Sequence, residues 1–202
     1  MKLAVLASGA GSNLQALIDT VHGHDGIRIV AVGSDKASAR ALVRAADAGI
    51  PTAVFPAADF GGDRVARDRA MAAWLAECGA ELVVLAGYMQ LVSGDFLTAF
   101  PDRVINVHPA LLPAFPGLDA VGQALAYGVK VFGVTVHFVD AGVDSGSIIL
   151  QRAVELPDAR SAEEVLGVLH AIEHELLPAA VRHFATGAVR REPGHSRRVI
   201  VG

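Results

Sequence analysis

Five short apolar runs recur along the first half of the chain: LAVLAS (3–8), IRIVAVG (27–33), TAVF (52–55), ELVVLAG (81–87) and RVINV (103–107). They are apolar at nearly every position, the pattern of strands covered on both faces, as in a parallel sheet. Between them, residues 13–22, 38–48 and 64–78 carry apolar side chains at helical spacing. Gly49 and Gly79 follow two of these segments as C-terminal stops. The alternation predicts an α/β protein of βαβ units on a parallel sheet.

The rhythm changes after residue 117. The pattern predicts a short helix over 120–127, strands over VFGVTVHFV (131–139) and IILQRAVEL (148–156), and a long helix from about Ser161 to about Ala185. An eight-residue loop between the two strands suits an antiparallel pair added to the sheet. Ser161 and Glu164 have the spacing of a capping box. The remaining tail is basic, with Arg190, Arg191, Arg197 and Arg198, and reads as a solvated end without function. One domain over 1–202, with halves 1–100 and 101–202, is the expected organisation for this length.

Composition narrows the class of function. Just over half the residues are hydrophobic and 19% are charged, which excludes a disordered chain. The net charge of −4 gives no electrostatic footprint for nucleic acid or for an anionic membrane. No apolar segment approaches the roughly 20 residues needed to span a bilayer. The N-terminal apolar run is too short for a signal peptide, and Cys78 is the single cysteine. A cytoplasmic protein is the expectation, with no metal, since Cys78 stands alone and the histidines are scattered.

Two places carry candidate chemistry. SGAGSN (8–13) follows the first strand and opens the first helix, where glycine lets a backbone approach a ligand and helix N–H groups attract phosphate. Ser12 and Asn13 also suit the capping position. The dinucleotide fingerprint fits poorly, because Leu14 occupies its third glycine position. The loop favours a monophosphate, with an ordinary tight turn as the alternative. Asp35, after the second strand, is open to reading as a ribose ligand.

The second place is INVHPALLPAFPG (105–117). Residues two apart on a strand point the same way, so Asn106 and His108 share a face near the strand's C-terminal end. A carboxamide and an imidazolium side by side suit stabilisation of a tetrahedral oxyanion; the alternative for His108 is a satisfied core histidine. VDAGVDSGS (139–147) offers Asp140 and Asp144 as carboxylate partners or as simple turn formers. Spacing alone does not say whether Asp144 reaches His108.

SGAGSNLQALID, VVLAGYMQLVS, INVHPALLPAFPG and GVTVHFVDAGVDSGSIILQ, in this order and spacing, resemble the phosphoribosylglycinamide formyltransferase family from residue 1 to about residue 185. The resemblance implies a Rossmann-like formyltransferase fold, mostly a parallel twisted sheet with helices on both faces and an antiparallel addition near the C-terminal part. It implies transfer of a formyl group from 10-formyltetrahydrofolate to the amine of glycinamide ribonucleotide in purine synthesis. No metal, nucleic acid or membrane would take part, and the chain would be a monomer or homodimer. By matching position, Gly11, Ser12, Asn13 and Glu173 would hold the ribonucleotide. Asn106, His108 and Asp144 would be catalytic. Arg64, Met89, Gln90, Leu91, Val92, Asn106 and the loop Asp140, Ala141, Gly142, Val143 and Asp144 would line the folate pocket. Pro109, Pro113 and Pro116 would brace the loop after the catalytic strand.

Three positions depart from that family's usual pattern: Asp119 stands where His is usual, Gln90 where a basic residue is usual, and Val168 where Arg is common. They read as changes of affinity. Two other classes stay open on sequence alone. A nicotinamide-dependent oxidoreductase would bind NAD(H) and not folate, and a folate or nucleotide sensor would bind without turnover. Hydrolysis of the formyl folate would release formate without the amine acceptor.

Overall fold

The computed structural model describes residues 1–202 and divides into two compact units, Met1–Asn106 and Val107–Gly202. In the first unit the strands are β1 (Lys2–Leu6), β2 (Arg28–Ser34), β3 (Thr52–Val54), β4 (Leu82–Leu85) and β5 (Val104–His108), the last crossing into the second unit. They lie in the order β3-β2-β1-β4-β5, and every pairing is parallel. Helices α1 (Ser12–Thr20), α2 (Arg40–Asp47), α3 (Arg64–Glu77) and α4 (Gly94–Ala99) make the crossovers, with a 3-10 turn at Ala57–Phe60. Leu3 to Leu6 and Leu82 to Val84 are fully buried, as central parallel strands require.

The predicted stops hold in detail. Gly49 and Gly79 adopt positive φ of 69° and 76° just past α2 and α3. Ile50 N–H donates to Ala45 O at 2.9 Å and Ala80 N–H to Leu75 O at 3.0 Å, each closing a Schellman turn. The short α4 and the 3-10 turn are not anticipated by the sequence, since segments of four to six residues carry too few apolar positions to show a period.

The second unit holds α5 (Ala120–Tyr127), the antiparallel pair β6 (Val131–Phe138) and β7 (Ile148–Glu155), and α6 (Ala162–Ala185). Val165, Leu169, Leu176, Leu177, Ala180, Val181 and Phe184 form the buried stripe of α6, which packs on β6, β7 and α5. Each fully buried aliphatic side chain there stabilises by about 1.5–3 kcal/mol. Ser161 Oγ caps α6 by accepting from Glu164 N–H at 3.2 Å. The Glu164 carboxylate accepts from Arg160 N–H at 3.1 Å, one residue before the reciprocal partner that a capping box would use. The tail is ordered into a hairpin of β8 (Val189–Arg191) and β9 (Val199–Val201), a correction to its reading as a solvated end. Three-residue strands, Val-Arg-Arg and Val-Ile-Val, are too short to show a period. No helix is long and apolar enough to cross a membrane.

A buried ion pair ties α3 to the segment before α4. Arg67 donates through Nε and Nη2 to Asp68 Oδ1 at 2.9 and 2.7 Å, and Asp68 Oδ2 accepts from Ser93 N–H at 2.6 Å. Both side chains are almost wholly removed from water. Arg67→Met strands the Asp68 charge, so we expect a loss of about 3–5 kcal/mol in urea unfolding. A loss under about 1 kcal/mol would show that Asp68 is hydrated in solution.

Candidate active site

In the first unit the strand order reverses beside β1, where open α/β sheets bind ligands past the strand ends. The turns after β1 and β4 are joined there: Ser8 N–H donates to Gly87 O at 3.1 Å, and Met89 N–H to Ser8 Oγ at 2.8 Å. Gly11 is the N-cap of α1 at φ 71°, and no side chain caps this helix. Ser12 and Asn13 are therefore the first helical residues rather than caps, which corrects the capping expectation. A Cβ on Gly11 would lie 2.8 Å from both Cα and Cβ of Ala41, so the close approach of α2 excludes any larger residue. Arg44, which sequence reasoning did not single out, holds the turn by donating to Ala10 O at 2.9 Å and to Gln15 Oε1 at 2.8 Å. An uncapped helix start in a rigid glycine turn suits an anion.

Past β4, Met89 and Leu91 are more than half exposed. Gln90 spans two charged groups: its amide nitrogen donates to Asp35 Oδ2 at 3.2 Å, and Arg67 Nη1 donates to its oxygen at 3.3 Å. Arg67 also reaches Leu91 O at 3.4 Å. Burial pushes the nearby Tyr88 hydroxyl up to about 12, against the pull of the Arg67 charge, so it stays protonated. Arg64 is the exposed first residue of α3, capped by Asp63. Asn106, half-buried, pairs in register with Leu85 across β4 and β5.

In the second unit three titratable side chains meet. His108 Nδ1 lies 3.4 Å from Asp144 Oδ2, and His137 Nε2 lies 3.5 Å from Asp144 Oδ1. Gly117 N–H donates to Asp144 Oδ2 at 2.8 Å. The remaining ring nitrogens face carbonyls, His108 Nε2 at 2.8 Å from Phe115 O and His137 Nδ1 at 2.8 Å from Phe138 O. Each ring therefore faces two acceptors, which a neutral imidazole cannot both satisfy and an imidazolium can. Burial pulls the Asp144 carboxyl upward, but His137, the Gly117 N–H and the His108 charge outweigh it and hold the group below its usual value. The second histidine is absent from the sequence reading. Its local signal is a polar residue in a mostly apolar strand, at the point where the ladder shifts register and Ile149 of β7 is left as the extra residue.

The segment after β5 is held by side chains where prolines lack N–H groups. Thr135 Oγ1 accepts from Leu112 N–H at 3.1 Å and donates to Ala110 O at 2.7 Å, while Gln151 donates to Leu112 O at 2.8 Å. Asp140 to Val143 are exposed, and Asp140 Oδ1 accepts from Gly142 N–H and Ser145 Oγ. Glu173 is buried on α6, with His170 Nδ1 at 3.0 Å from its carboxylate. Burial lowers the pKa of His174, which stacks on His170. No group of three or more His, Cys, Asp or Glu side chains is placed to hold a metal ion.

Comparison with known proteins shows the family of the chain. The family described as formyl transferase matches residues 1–181. The chain belongs to the formyl transferase family. It is 44% identical over its whole length to the phosphoribosylglycinamide formyltransferase of Mycobacterium tuberculosis, covering 94% of that protein. It is 40% identical to the protein of that name from Bacillus subtilis, over 90% of this chain and 93% of the relative. The crystal structure of glycinamide ribonucleotide transformylase 1 from Symbiobacterium toebii superposes with a TM-score of 0.94 at 48% identity, covering 100% of this chain and 93% of that one.

Two of the departures now have local accounts within this formyl transferase. Asp119 sits at φ 57° as the N-cap of α5 and accepts from Gly122 N–H at 3.2 Å. Gln90 is the bridge between Asp35 and Arg67, so a buried cation stands behind the position where a basic residue is usual. Val168 is half-buried on α6, and nothing in the structure explains it.

The Asp144 geometry fixes a pH dependence. A carboxyl whose folded pKa lies below its unfolded value stabilises fully above the unfolded value and loses that contribution as pH falls through the folded one. The usual value is 3.8. Urea unfolding of wild type and Asp144→Asn is therefore expected to differ at neutral pH and to converge as pH drops below about 4. A gap that stays constant down to about pH 2 would contradict the charge placement.

Proposed function

We propose that this formyl transferase moves the formyl group of 10-formyltetrahydrofolate onto the amine of glycinamide ribonucleotide, in the cytoplasmic pathway that builds purines. The observation that carries the reading is the His108–Asp144 contact on the strand that also bears Asn106, in a chain matching its relatives end to end. Gly11, Ser12 and Asn13 hold the phosphate at the uncapped start of α1, and Glu173 accepts from the sugar or amide of the nucleotide. Arg64, the stretch Met89 to Val92, and the loop Asp140 to Asp144 hold the folate, with Met89 and Leu91 giving apolar contact to its ring.

The amine nitrogen attacks the formyl carbon, forming a C–N bond as the carbonyl electrons move onto oxygen. Asn106 donates its amide N–H to that oxygen, and the His108 imidazolium adds a charged donor. Collapse of the tetrahedral adduct breaks the bond to the folate nitrogen. That nitrogen takes a proton while the attacking amine gives one up, and Asp144 carries the exchange through its contact with His108. For His108 to reach substrate, Phe115 O must release its Nε2.

Losing one such donor costs about 10²–10³ in turnover. We expect His108→Ala to lower kcat by at least that order, with the KM for glycinamide ribonucleotide within about threefold of wild type. The assay follows deformylated folate by absorbance, with and without the amine acceptor. Turnover near the wild-type rate would remove His108 from the chemistry. Equal rates with and without acceptor would replace transfer by hydrolysis.

A further inference from the structure

We infer that the C-terminal hairpin β8–β9, which lies beyond the span matched by the family, is a positioning element for Asp144. It fixes the β6–β7 loop from outside, through Arg191 and Arg197. The inference rests on the role given above to Asp144.

Asp144 sits in a loop held from within by Asp140 Oδ1, which accepts from Gly142 N–H and Ser145 Oγ. Gly142 and Gly146 flank it, Asp140 to Val143 are exposed, and Asp144 itself is in the left-handed region at φ 48°. Its neighbours on the C-terminal side are held by the tail. Arg197 Nη1 donates to Ser145 O at 3.1 Å, and Arg191 Nη1 donates to Ser147 Oγ at 3.0 Å. Ser147 Oγ lies 3.4 Å from Ser196 O, to which it donates. The Arg191 guanidinium also lies over the Phe138 ring, 4.7 Å from its centroid, at the point where β6 enters the loop. Strand β9 packs on β7.

An open pocket of about 410 Å³ runs alongside these contacts, lined by Arg191, Ser196 and Arg197 of the tail and by Asp140, Ser145 and Gly146 of the loop. Beside that opening the loop is held by directed bonds, its own at Asp140 and the hairpin's at Ser145 and Ser147. Gly146 shows how narrow that register is, because a Cβ there would lie 1.7 Å from Phe138 O. A small slip of residues 145–147 moves Asp144 away from His108, His137 and the Gly117 N–H, the groups that face its carboxylate. The two arginines thus act through Asp144 and touch no substrate.

The test is the full-length Arg191→Met/Arg197→Met double variant, which keeps most of each side-chain stem and removes the donors. Its Asp144 carboxyl is titrated by ¹³C NMR without substrate, and kcat and KM are measured for both substrates. We expect the carboxyl midpoint to rise by at least about half a pH unit, since the groups that lower it are lost. We also expect kcat to fall about five- to tenfold, with the KM for glycinamide ribonucleotide within about twofold. A smaller rise in a folded variant overturns the proposal, as does a full rise with kcat unchanged. If the double variant does not fold, Ser147→Ala removes the side chain that the hairpin grips. A rise in its Asp144 midpoint then supports the proposal, and no rise overturns it. Absence of formyl transfer in the wild-type protein would sink the activity assignment. The carboxyl titration, which needs no substrate, would still judge the hairpin.

Discussion

The Asp144 carboxylate is held charged in a place where burial alone would favour its protonation. Two imidazoles and one backbone N–H supply what the lost water supplied, at distances of 2.8 to 3.5 Å. Much local irregularity in the second unit becomes intelligible from that requirement. The β6–β7 ladder shifts register at His137, with Ile149 of β7 the extra residue, beside the ring that faces the carboxylate. The left-handed φ of Phe115 brings a carbonyl against His108 Nε2, so that the ring is held from both sides. Neither feature follows from strand or turn propensity. Each is a local cost that the surrounding hydrogen bonds offset.

The first unit meets a different constraint, which is backbone proximity rather than charge. Glycine at position 11 is forced twice, by a positive φ and by the nearness of Ala41. The result is a helix start with no side-chain cap, braced by Arg44 through Ala10 O and Gln15. Arg44 commits Nε and Nη1 to the turn itself, and the helix N–H groups add an attraction for an anion. That is the physical difference between this turn and a simple basic patch, and it suits a chain whose net charge is negative.

Much of this was legible in the sequence, for identifiable reasons. Strands β1, β2 and β4 to β6 announced themselves because strands covered on both faces are apolar at nearly every position, while the more exposed β7 showed through its Ile148 to Leu150 run. Helices α1, α2, α3 and α6 run long enough to show their period, and the Gly49 and Gly79 stops depend only on backbone conformation. The Asn106–His108 pair was readable because strand geometry fixes which residues share a face. What stayed hidden depends on long-range contact. His137 is 29 positions from His108, and only the fold makes them neighbours of one carboxylate. The hairpin's importance lies in four contacts to residues 138, 145 and 147, which no local pattern of charge predicts. Ser12 and Asn13 were read as caps because their chemistry suits capping, but the steric demand at Gly11 placed the helix start one residue earlier.

The departures from the family pattern follow the same logic of local satisfaction. A lone carboxylate at position 119 would be an added negative charge, but here it closes the first turn of α5 and so has a structural partner. Gly122 is matched to it, because a Cβ there would lie 2.3 Å from an Asp119 carboxylate oxygen. Asp119 and Gly122 are therefore best read as one unit, and replacing Asp119 by His would lose a cap. Gln90 works likewise. Its amide is neutral, yet it donates to Asp35 and accepts from Arg67, so exchanging it for a basic residue would satisfy Asp35 while setting a second cation against Arg67. Each substitution is stable because its neighbours are arranged around it. The effect of reverting either one therefore depends on residues 35, 67 and 122 as much as on the ligand.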